Sequence, residues 1–341
     1  MTQAMILAAG MGTRMGSISE ETPKPLLPVC NRPLIRWATQ LFIHYGLKEI
    51  GVNLHHLGHL IKSELKVEES RETRFVFSPE PQILGTGGGI KAMASLLFRE
   101  TAFVLNAKVV IDVDLQKLLA FHRSRNALAT MVVFPHPNPE PWGAIGVDRG
   151  HWIVRILDKR KKNSSLAENF IFTGLHVLEP EFIDSIPEGP CCVVRTAYLE
   201  ALENKGALAA YVHRGYFFEH STPGRYLQGN FNLLDGAVNP PARPGPLCGV
   251  DPTAKIHSTA KIVGPVLIGA GCQIGPGAIV GPYAVLGDGV SVSKRVIVTR
   301  GVVWADVNLA EDCHRSIVTP RNRVEVPEEI DCMATPRDSL V

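Results

Sequence analysis

Residues 4–14 read Ala-Met-Ile-Leu-Ala-Ala-Gly-Met-Gly-Thr-Arg, an apolar run that passes into two closely spaced glycines and an arginine. An apolar run of this length, bounded by glycine, is typical of a short buried strand. Because glycine adopts backbone conformations closed to other residues, we expect a loop with accessible main chain directly after the strand.

Strand and helix patterns alternate downstream of this loop. Further strands are predicted over residues 50–54, 75–77, 103–106 and 130–134, and helices are predicted after Pro33, after Gly89 and from Asp114. This alternation indicates the α/β class, with a mixed, mostly parallel sheet covered by helices. Residues 144–210 carry more strand pattern, as a subdomain at the sheet edge would.

A second pattern follows a proline-rich segment at 239–247, which we predict to be a stiff linker after a domain over residues 1–238. Large residues then recur every six positions, at Val250, Ile256, Ile262, Ile268, Ile274, Val280, Leu286, Val292, Val298 and Trp304. This period predicts a short left-handed parallel β-helix of hexapeptide repeats over 248–310, followed by a C-terminal tail over 311–341.

Composition excludes several classes of protein. The 341 residues suggest about two domains, and 35 basic against 33 acidic residues give a net charge of +2, without the basic excess of a nucleic-acid binder. No apolar run is long enough for a membrane helix, and the N-terminus lacks the basic region of a signal peptide. Seven cysteines without framework spacing predict free thiols in a reducing cytoplasm.

The loop after the first strand is suited to phosphate, although it matches neither common phosphate motif. A dinucleotide fingerprint would need glycine where Met15 stands, and no Gly-Lys-Ser follows. Arg14 offers a planar fork for phosphate oxygens, and Lys24 stands between two prolines on a rigid turn. The alternative is a strand-to-turn junction with incidental basic residues.

The motifs resemble those of the sugar-1-phosphate nucleotidyltransferases, also called nucleotide-sugar pyrophosphorylases, whose core is a Rossmann-like sheet. The matching stretches are Leu7-Ala8-Ala9-Gly10-x-Gly12-Thr13-Arg14-Met15, Pro23-Lys24-Pro25-Leu26, Pro81-Gln82-x-Leu84-Gly85-Thr86-Gly87-Gly88, Trp142-Gly143, Asp158-Lys159, Thr173-Gly174 and Thr222-Pro223-x-x-Tyr226-Leu227. With a C-terminal β-helix, the chain is most similar to the mannose-1-phosphate and glucose-1-phosphate nucleotidyltransferases, and above all to the mannose-1-phosphate guanylyltransferases.

The resemblance implies that a sugar 1-phosphate attacks the α-phosphorus of a nucleoside triphosphate, giving a nucleotide sugar and pyrophosphate. It assigns the β,γ-phosphates to Arg14, the α-phosphate to Lys24 and the base to Gln82 and Gly87. Further nucleotide contacts are implied at Leu7, Ala8, Ala9, Gly10, Gly12, Thr13, Gly85 and Thr86. The implied sugar-phosphate contacts are Asn106, Gly143, Asp158, Lys159, Thr173 and Gly174. The base is open, since Gln82 can bond uracil, thymine or guanine; we favour GDP-mannose.

The chain departs from the family pattern at the implied Mg²⁺ site. Lys108 stands where the resemblance places a metal-binding aspartate, and Glu219 stands where it places a second one. Glutamate can bind Mg²⁺, but a charged lysine has only hydrogen-bond donors. Two hypotheses follow. Lys108 acts in catalysis in place of the metal, with a slower and less Mg²⁺-dependent reaction, or the chain is a regulatory paralogue that binds nucleotide without turnover.

The β-helix predicts assembly of subunits, either as a homo-oligomer or with a paralogue. Acyltransferases also use such repeats, but they generally need more coils and a catalytic histidine, and His257, in an early repeat, is the one histidine within residues 248–310. We therefore expect an oligomerisation module, with no nucleic-acid or membrane partner.

Overall fold

The structure, a computed structural model, describes residues 3–67, 73–204, 206–236, 238 and 242–328. The chain forms two compact units. The first gathers Met1–Met11, Trp37–Phe217 and Pro240–Ala242, and the second gathers Gly12–Arg36, Phe218–Asn239 and Arg243–Val341. Residues 12–36, which carry Arg14 and Lys24, therefore fall in one unit with the β-helix, although the sequence places them in separate domains.

A ten-stranded mixed sheet forms the centre of the first unit. Its main path runs through Lys159–Arg160, Ile153–Ile156, Ile145–Val147, Glu168–Leu178, Ala102–Asn106, Gln3–Leu7, Glu49–Leu54 and Arg74–Pro79. Ala129–Phe134 pairs with both Glu168–Leu178 and Leu208–Val212. The Gln3–Leu7 strand is parallel to both neighbours, with Ala4 opposite Ile50 and Phe103. Because these strands are parallel, the residues after Leu7, Leu54, Pro79 and Asn106 emerge at the same edge of the sheet.

Helices connect the strands of this sheet. They span Leu34–His44, Gly58–Lys66, Gly85–Leu96, Leu115–Ser124, Pro180–Asp184 and Leu199–Glu203, with a short π-helix at Val194–Tyr198. Asp114 begins its helix as predicted, because its carboxylate accepts from the N–H groups of Gln116 and Lys117 at 3.0 Å each. The helix predicted after Gly89 begins instead at Gly85, so the glycine-rich stretch is helical. None of the described helices has the length and hydropathy of a membrane span.

From Gly12 the chain belongs to the second unit and forms short elements. Thr13–Met15 and Lys24–Leu26 are 3₁₀ turns, Ile18–Glu21 is a single helical turn, and Pro28–Val29 pairs with Arg32–Pro33. The buried hydroxyl of Tyr226, on the Pro223–Leu234 helix, donates to the carbonyl of Pro28 and accepts from Trp304 Nε1 at 3.1 Å. Burial raises the pKa of Tyr226, so its hydroxyl stays protonated and the bond is kept.

The C-terminal strands stack into three parallel sheets. Their strands are Gly249–Val250, Val266–Ile268, Ala284–Leu286, Gly301–Val303 and Ser316–Val318; Lys255–Ile256, Gln273–Ile274, Ser291–Val292 and Asn308–Leu309; and Lys261–Ile262, Ile279–Val280, Ile297–Thr299 and Cys313–His314. Successive coils are 18 residues apart, with Val250 opposite Ile268 and Ile268 opposite Leu286. The aliphatic residues of the repeat form the core, as in a parallel β-helix.

The repeat changes register in its last coils. Leu286 lies opposite Val303, 17 positions on, so Val303 takes the inward position predicted for Trp304. The strands also continue beyond residue 310 to Val318, and Arg323–Glu325 then pairs antiparallel with Ser316–Val318. The predicted tail therefore begins as β-helix. Residues 239–241 of the predicted linker and 329–341 of the predicted tail lie outside the described residues.

Three hydrogen bonds tie residues 12–36 to these coils within the second unit. Asn31 Nδ2 donates to the carbonyl of Leu286 at 2.7 Å, and Thr319 Oγ1 donates to Glu21 Oε1 at 2.8 Å. The side chain of Asn322 also donates to Glu21. The segment that carries Arg14 and Lys24 is therefore fixed in part by the β-helix.

Candidate nucleotide and sugar-phosphate site

Two main-chain groups at the end of the first strand are already hydrogen-bonded within the fold. The N–H of Ala8 donates to Asn53 Oδ1 at 2.7 Å, and the carbonyl of Leu7 accepts from Ala107 at 3.0 Å. A side chain at Gly10 would meet no atom within 4 Å. Of these predicted nucleotide contacts, Ala8 therefore has no spare N–H for a ligand, whereas Gly10 borders open space.

Gly12 and Lys24 lie side by side in the second unit. Gly12 has φ +74°, and a Cβ there would lie 3.6 Å from Lys24 Cβ. Pro23 leads into the Lys24–Leu26 turn and Pro25 is buried, which gives the rigid turn expected from the sequence. Met15 is buried and anchors the Thr13–Met15 turn, while Arg14 is exposed. The two predicted phosphate-binding cations thus belong to one compact segment, with a backbone that the fold holds in place.

Lys24 is connected through Ser221 to the buried carboxylate of Glu219. Its ammonium donates to the carbonyl of Ser221 at 3.3 Å, and the Ser221 hydroxyl donates to Glu219 Oε1 at 2.5 Å. Arg225 Nη1 lies 3.5 Å from the same Glu219 oxygen, and Arg225 Nε donates to the Glu219 carbonyl at 3.0 Å. The carboxylate predicted as a metal ligand is therefore paired with a guanidinium.

The predicted sugar-phosphate residues of the first unit form two groups. Gly174, at φ +84°, packs so closely on Asn106 that a Cβ would lie 2.3 Å from Asn106 Nδ2. The hydroxyl of the neighbouring Thr173 donates to the carbonyl of Val132 at 2.8 Å. This side chain is therefore hydrogen-bonded within the sheet. Gly143 packs on Leu157, the residue before Asp158, and Lys159 is exposed on the next strand.

The glycines at positions 85, 87 and 88 pack directly against residues 189–193, which leave no room for side chains. A Cβ at Gly85 would lie 2.5 Å from the Cys191 carbonyl, and one at Gly88 would lie 2.3 Å from the Gly189 carbonyl. The N–H of Gly87 donates to that Cys191 carbonyl at 2.9 Å, and Thr86 Oγ1 accepts from Val193 at 3.0 Å. Close packing thus requires these glycines, and the Gly87 N–H is engaged. Gln82 is exposed and available to a ligand.

Comparison with known proteins identifies the family. The family model described as nucleotidyl transferase matches residues 3–216. The chain belongs to the nucleotidyl transferase family. It is 28% identical over 244 residues to mannose-1-phosphate guanylyltransferase of Mycobacterium tuberculosis, covering 71% of this chain and 67% of that protein. It is also 32% identical over 200 residues to UTP–glucose-1-phosphate uridylyltransferase of Synechocystis, covering 55% of this chain and about half, 51%, of that protein.

A solved structure supports the nucleotidyl transferase fold. The crystal structure of HddC from Yersinia pseudotuberculosis matches with a TM-score of 0.55 at 22% identity, covering 67% of this chain and 98% of that chain. At this identity the likeness establishes the fold alone.

The donor set of this family member does not fit Mg²⁺. An ammonium at Lys108 offers no lone pair, and the Glu219 carboxylate is engaged by Ser221 and Arg225. Among the described residues, no three histidine, cysteine, aspartate or glutamate side chains come together as a metal site.

Three buried polar residues were not singled out from the sequence: Asn53, Glu80 and Arg225. Asn53 interrupts an apolar strand and Glu80 follows the next one, which is a weak signal for polar residues at the ligand-binding edge of a parallel sheet. Arg225 lies between the matched Pro223 and Tyr226, and its pairing with Glu219 could have been suspected from charge alone.

Proposed function

We propose that this chain transfers a nucleotidyl group from a nucleoside triphosphate to a sugar 1-phosphate. A phosphate oxygen of the sugar 1-phosphate forms a bond to the α-phosphorus, the bond from the α-phosphorus to the β-phosphate oxygen breaks, and pyrophosphate leaves. Both reactants are anions, so catalysis would consist of positioning and charge neutralisation. The family match over residues 3–216 carries this proposal.

The proposed roles follow the sequence assignments. Arg14 would bind the leaving β,γ-phosphates, Lys24 the α-phosphate and Lys108 the remaining phosphate charge. The rigid turn of Lys24 supports its role, because a fixed ammonium stabilises developing charge without reorganising. Gln82 would bind the base through its exposed amide.

The proposed nucleotide contacts also include Leu7, Ala9, Gly10, Gly12, Thr13, Gly85 and Thr86, with Ala8 and Gly87 contributing groups other than their N–H. The proposed sugar-phosphate contacts are Asn106, Gly143, Asp158, Lys159, Thr173 and Gly174, where Thr173 would contribute main chain.

GTP and mannose 1-phosphate are the proposed substrates. Several relatives are mannose-1-phosphate guanylyltransferases, and the one from Debaryomyces hansenii is 30% identical over 75% of this chain and 73% of that protein. The uridylyltransferase match covers a shorter part of the chain, which makes UTP and glucose 1-phosphate the next pair to test.

A second candidate function is nucleotide or nucleotide-sugar binding without turnover. One observation favours it: Glu219, the carboxylate left at the family's metal position, is paired with Arg225. A protein in this role would keep Arg14, Lys24 and Gln82 for binding while lacking the divalent ion that supports in-line displacement.

Pyrophosphate release distinguishes the two functions. GTP, UTP, ATP and dTTP are each combined with mannose 1-phosphate or glucose 1-phosphate, in EDTA and over a range of MgCl₂. Turnover with GTP and mannose 1-phosphate is expected, with weak dependence on MgCl₂. If all pairs fail while GTP or GDP-mannose still raises the unfolding temperature, the binding function replaces the enzymatic one.

We also propose that the β-helix joins two copies of this chain in the cytoplasm. Val250 and Ile256 on the first coil are 41% and 38% exposed, whereas Ile268 and Ile274 one coil later are 1% and 3% exposed. Exposed apolar residues at the end of a repeat are typical of an interface. The described cysteines are free thiols, which supports a reducing compartment. Light scattering should give a dimer mass, and Val250→Lys with Ile256→Lys should give the monomer mass.

A further inference from the structure

Asn53 and Glu80 form a buried polar couple at the ligand-binding edge of the sheet. Asn53 is 2% exposed at the end of one strand, and Glu80 is 3% exposed directly after the neighbouring strand. Asn53 Nδ2 donates to Glu80 Oε1 at 2.7 Å. A buried carboxylate is costly unless hydrogen bonds satisfy it, so this placement needs an explanation.

Each residue of the couple also binds one of the two glycine-rich segments. Asn53 Oδ1 accepts from the N–H of Ala8, in the loop after the first strand, at 2.7 Å. Glu80 Oε2 accepts from the N–H of Leu84, the N-cap of the Gly85–Leu96 helix, at 2.9 Å. A continuous chain of three hydrogen bonds therefore joins the loop at Ala8 to the start of the helix at Leu84.

The surroundings hold the couple in a single geometry. The N–H of Glu80 donates to the carbonyl of Leu54 at 2.7 Å, and His55 Nδ1 donates to the carbonyl of Glu80 at 2.7 Å. A Cβ at Gly89 would lie 2.7 Å from Asn53 Nδ2 and 2.9 Å from Glu80 Oε1. Main chain on two sides, together with a glycine in close contact, leaves the two side chains little freedom to rearrange.

We propose that Asn53 and Glu80 are positioning residues that set the distance between the phosphate-binding loop and the base-binding helix. Neither touches the nucleotide; both act through the main chain of Ala8 and Leu84. This inference rests on the proposed function, because it concerns the same nucleotide. A loop displaced by a fraction of an ångström lowers affinity and rate, since the reacting groups depend on their placement.

A swap of the two functional groups tests the couple. In Asn53→Asp, two carboxylates face each other at hydrogen-bond distance. In Glu80→Gln, the new side chain has only one acceptor oxygen for the two donors, Asn53 Nδ2 and the Leu84 N–H. Its NH2 group must therefore face one of them, and two donors meet. In the double variant N53D/E80Q, the new amide donates to the new carboxylate and accepts from Leu84, so the chain of bonds is restored with the same number of charges.

The readout is nucleotide affinity by isothermal titration calorimetry on the full chain, with GTP or UTP, whichever the wild type binds more tightly. We expect each single variant to lose roughly tenfold or more in affinity, and the double variant to return to within about threefold of wild type. Urea unfolding of the same four proteins verifies that each is folded at the temperature of the titration.

Glu179→Gln is the matched control. Glu179 accepts from His122 Nε2 at 2.7 Å and from Thr101 at 2.9 Å, beside the start of the Ala102–Asn106 strand and so at the opposite edge of the sheet. This variant should lower stability while nucleotide affinity stays within about twofold.

The possible results distinguish the positioning role of Asn53 and Glu80 from the proposed function. If folded N53D and E80Q bind with wild-type affinity, or if the double variant does not recover, the positioning role is overturned and the proposed function stands. If the wild type binds no nucleotide at all, the proposed function is overturned and this inference falls with it.

Discussion

The guanidinium of Arg225 lies 3.5 Å from the carboxylate of Glu219, and both side chains are buried. Removing one partner of a buried ion pair leaves the other charge uncompensated. Arg225→Met should therefore lower the free energy of unfolding by about 3–5 kcal/mol. Glu219→Gln should also lower it, because it leaves the more deeply buried Arg225 guanidinium without a counter-charge. Urea unfolding measures both, and equal stabilities of R225M and wild type would contradict the pairing.

Lys24 should matter for nucleotide affinity more than for stability. Its ammonium is proposed to contact the α-phosphate, and a charge-assisted hydrogen bond contributes about 1.5–3 kcal/mol. We expect Lys24→Ala to weaken GTP binding by about 10- to 100-fold. Lys162→Ala, at an exposed lysine of the first unit, is the control and should bind GTP as wild type does. Equal affinities in the two variants would remove Lys24 from the site.

The buried His176 should make stability depend on pH. Burial lowers the pKa of His176 to about 3, and its Nδ1 bonds the Tyr198 hydroxyl at 2.9 Å. The unfolded state, with the ordinary pKa near 6.5, takes up the proton first, so stability is lost as pH falls below about 6.5. This group contributes a slope of about 1.4 kcal/mol per pH unit between pH 6 and 4. Burial also lowers the pKa of His122, which adds a slope of the same sign.

Urea unfolding at pH 7, 6 and 5 tests this prediction. His176→Leu should be less stable than wild type at pH 7 and should show a shallower loss of stability towards pH 5. His59→Asn, at an exposed histidine, should keep the wild-type slope. If H176L and wild type lose stability in parallel, the histidine is not responsible.

Gly88 should not tolerate a side chain. A Cβ there would lie 2.3 Å from the carbonyl of Gly189, so main chain must move. We expect Gly88→Ala to lower the free energy of unfolding by about 1–3 kcal/mol. Gly10→Ala provides the comparison, because a Cβ there meets no atom within 4 Å and should change stability by about 0.5 kcal/mol or less. Similar losses in both variants would argue against the close contact.

The sequence predicts those parts of the fold that depend on local periodicity. The strands at 49–54, 74–79, 102–106 and 129–134 lie within a residue or two of their predicted positions, because apolar runs and turn residues specify them locally. The hexapeptide repeat holds through Val298. It fails at Trp304 because the coil shortens by one residue at a corner, and corner length is not encoded in the aliphatic period.

The site was less predictable than the fold. Arg14 and Lys24 are proposed as site residues from their spacing and from the prolines beside Lys24. That the Ala8 N–H is used by Asn53, and the Gly87 N–H by Cys191, depends on contacts between residues 45 and 104 positions apart. Such pairings are decided by tertiary packing, which a single sequence does not display.

The bond between Glu21 and Thr319 has a consequence for building hybrid proteins. A chimera that grafts another protein's terminal coils onto this chain would remove Thr319, which bonds the segment that carries Arg14. Loss of ligand affinity in such a hybrid would then report a mismatched graft, and transplanting residues 12–36 together with the coils is the exchange that keeps the two matched.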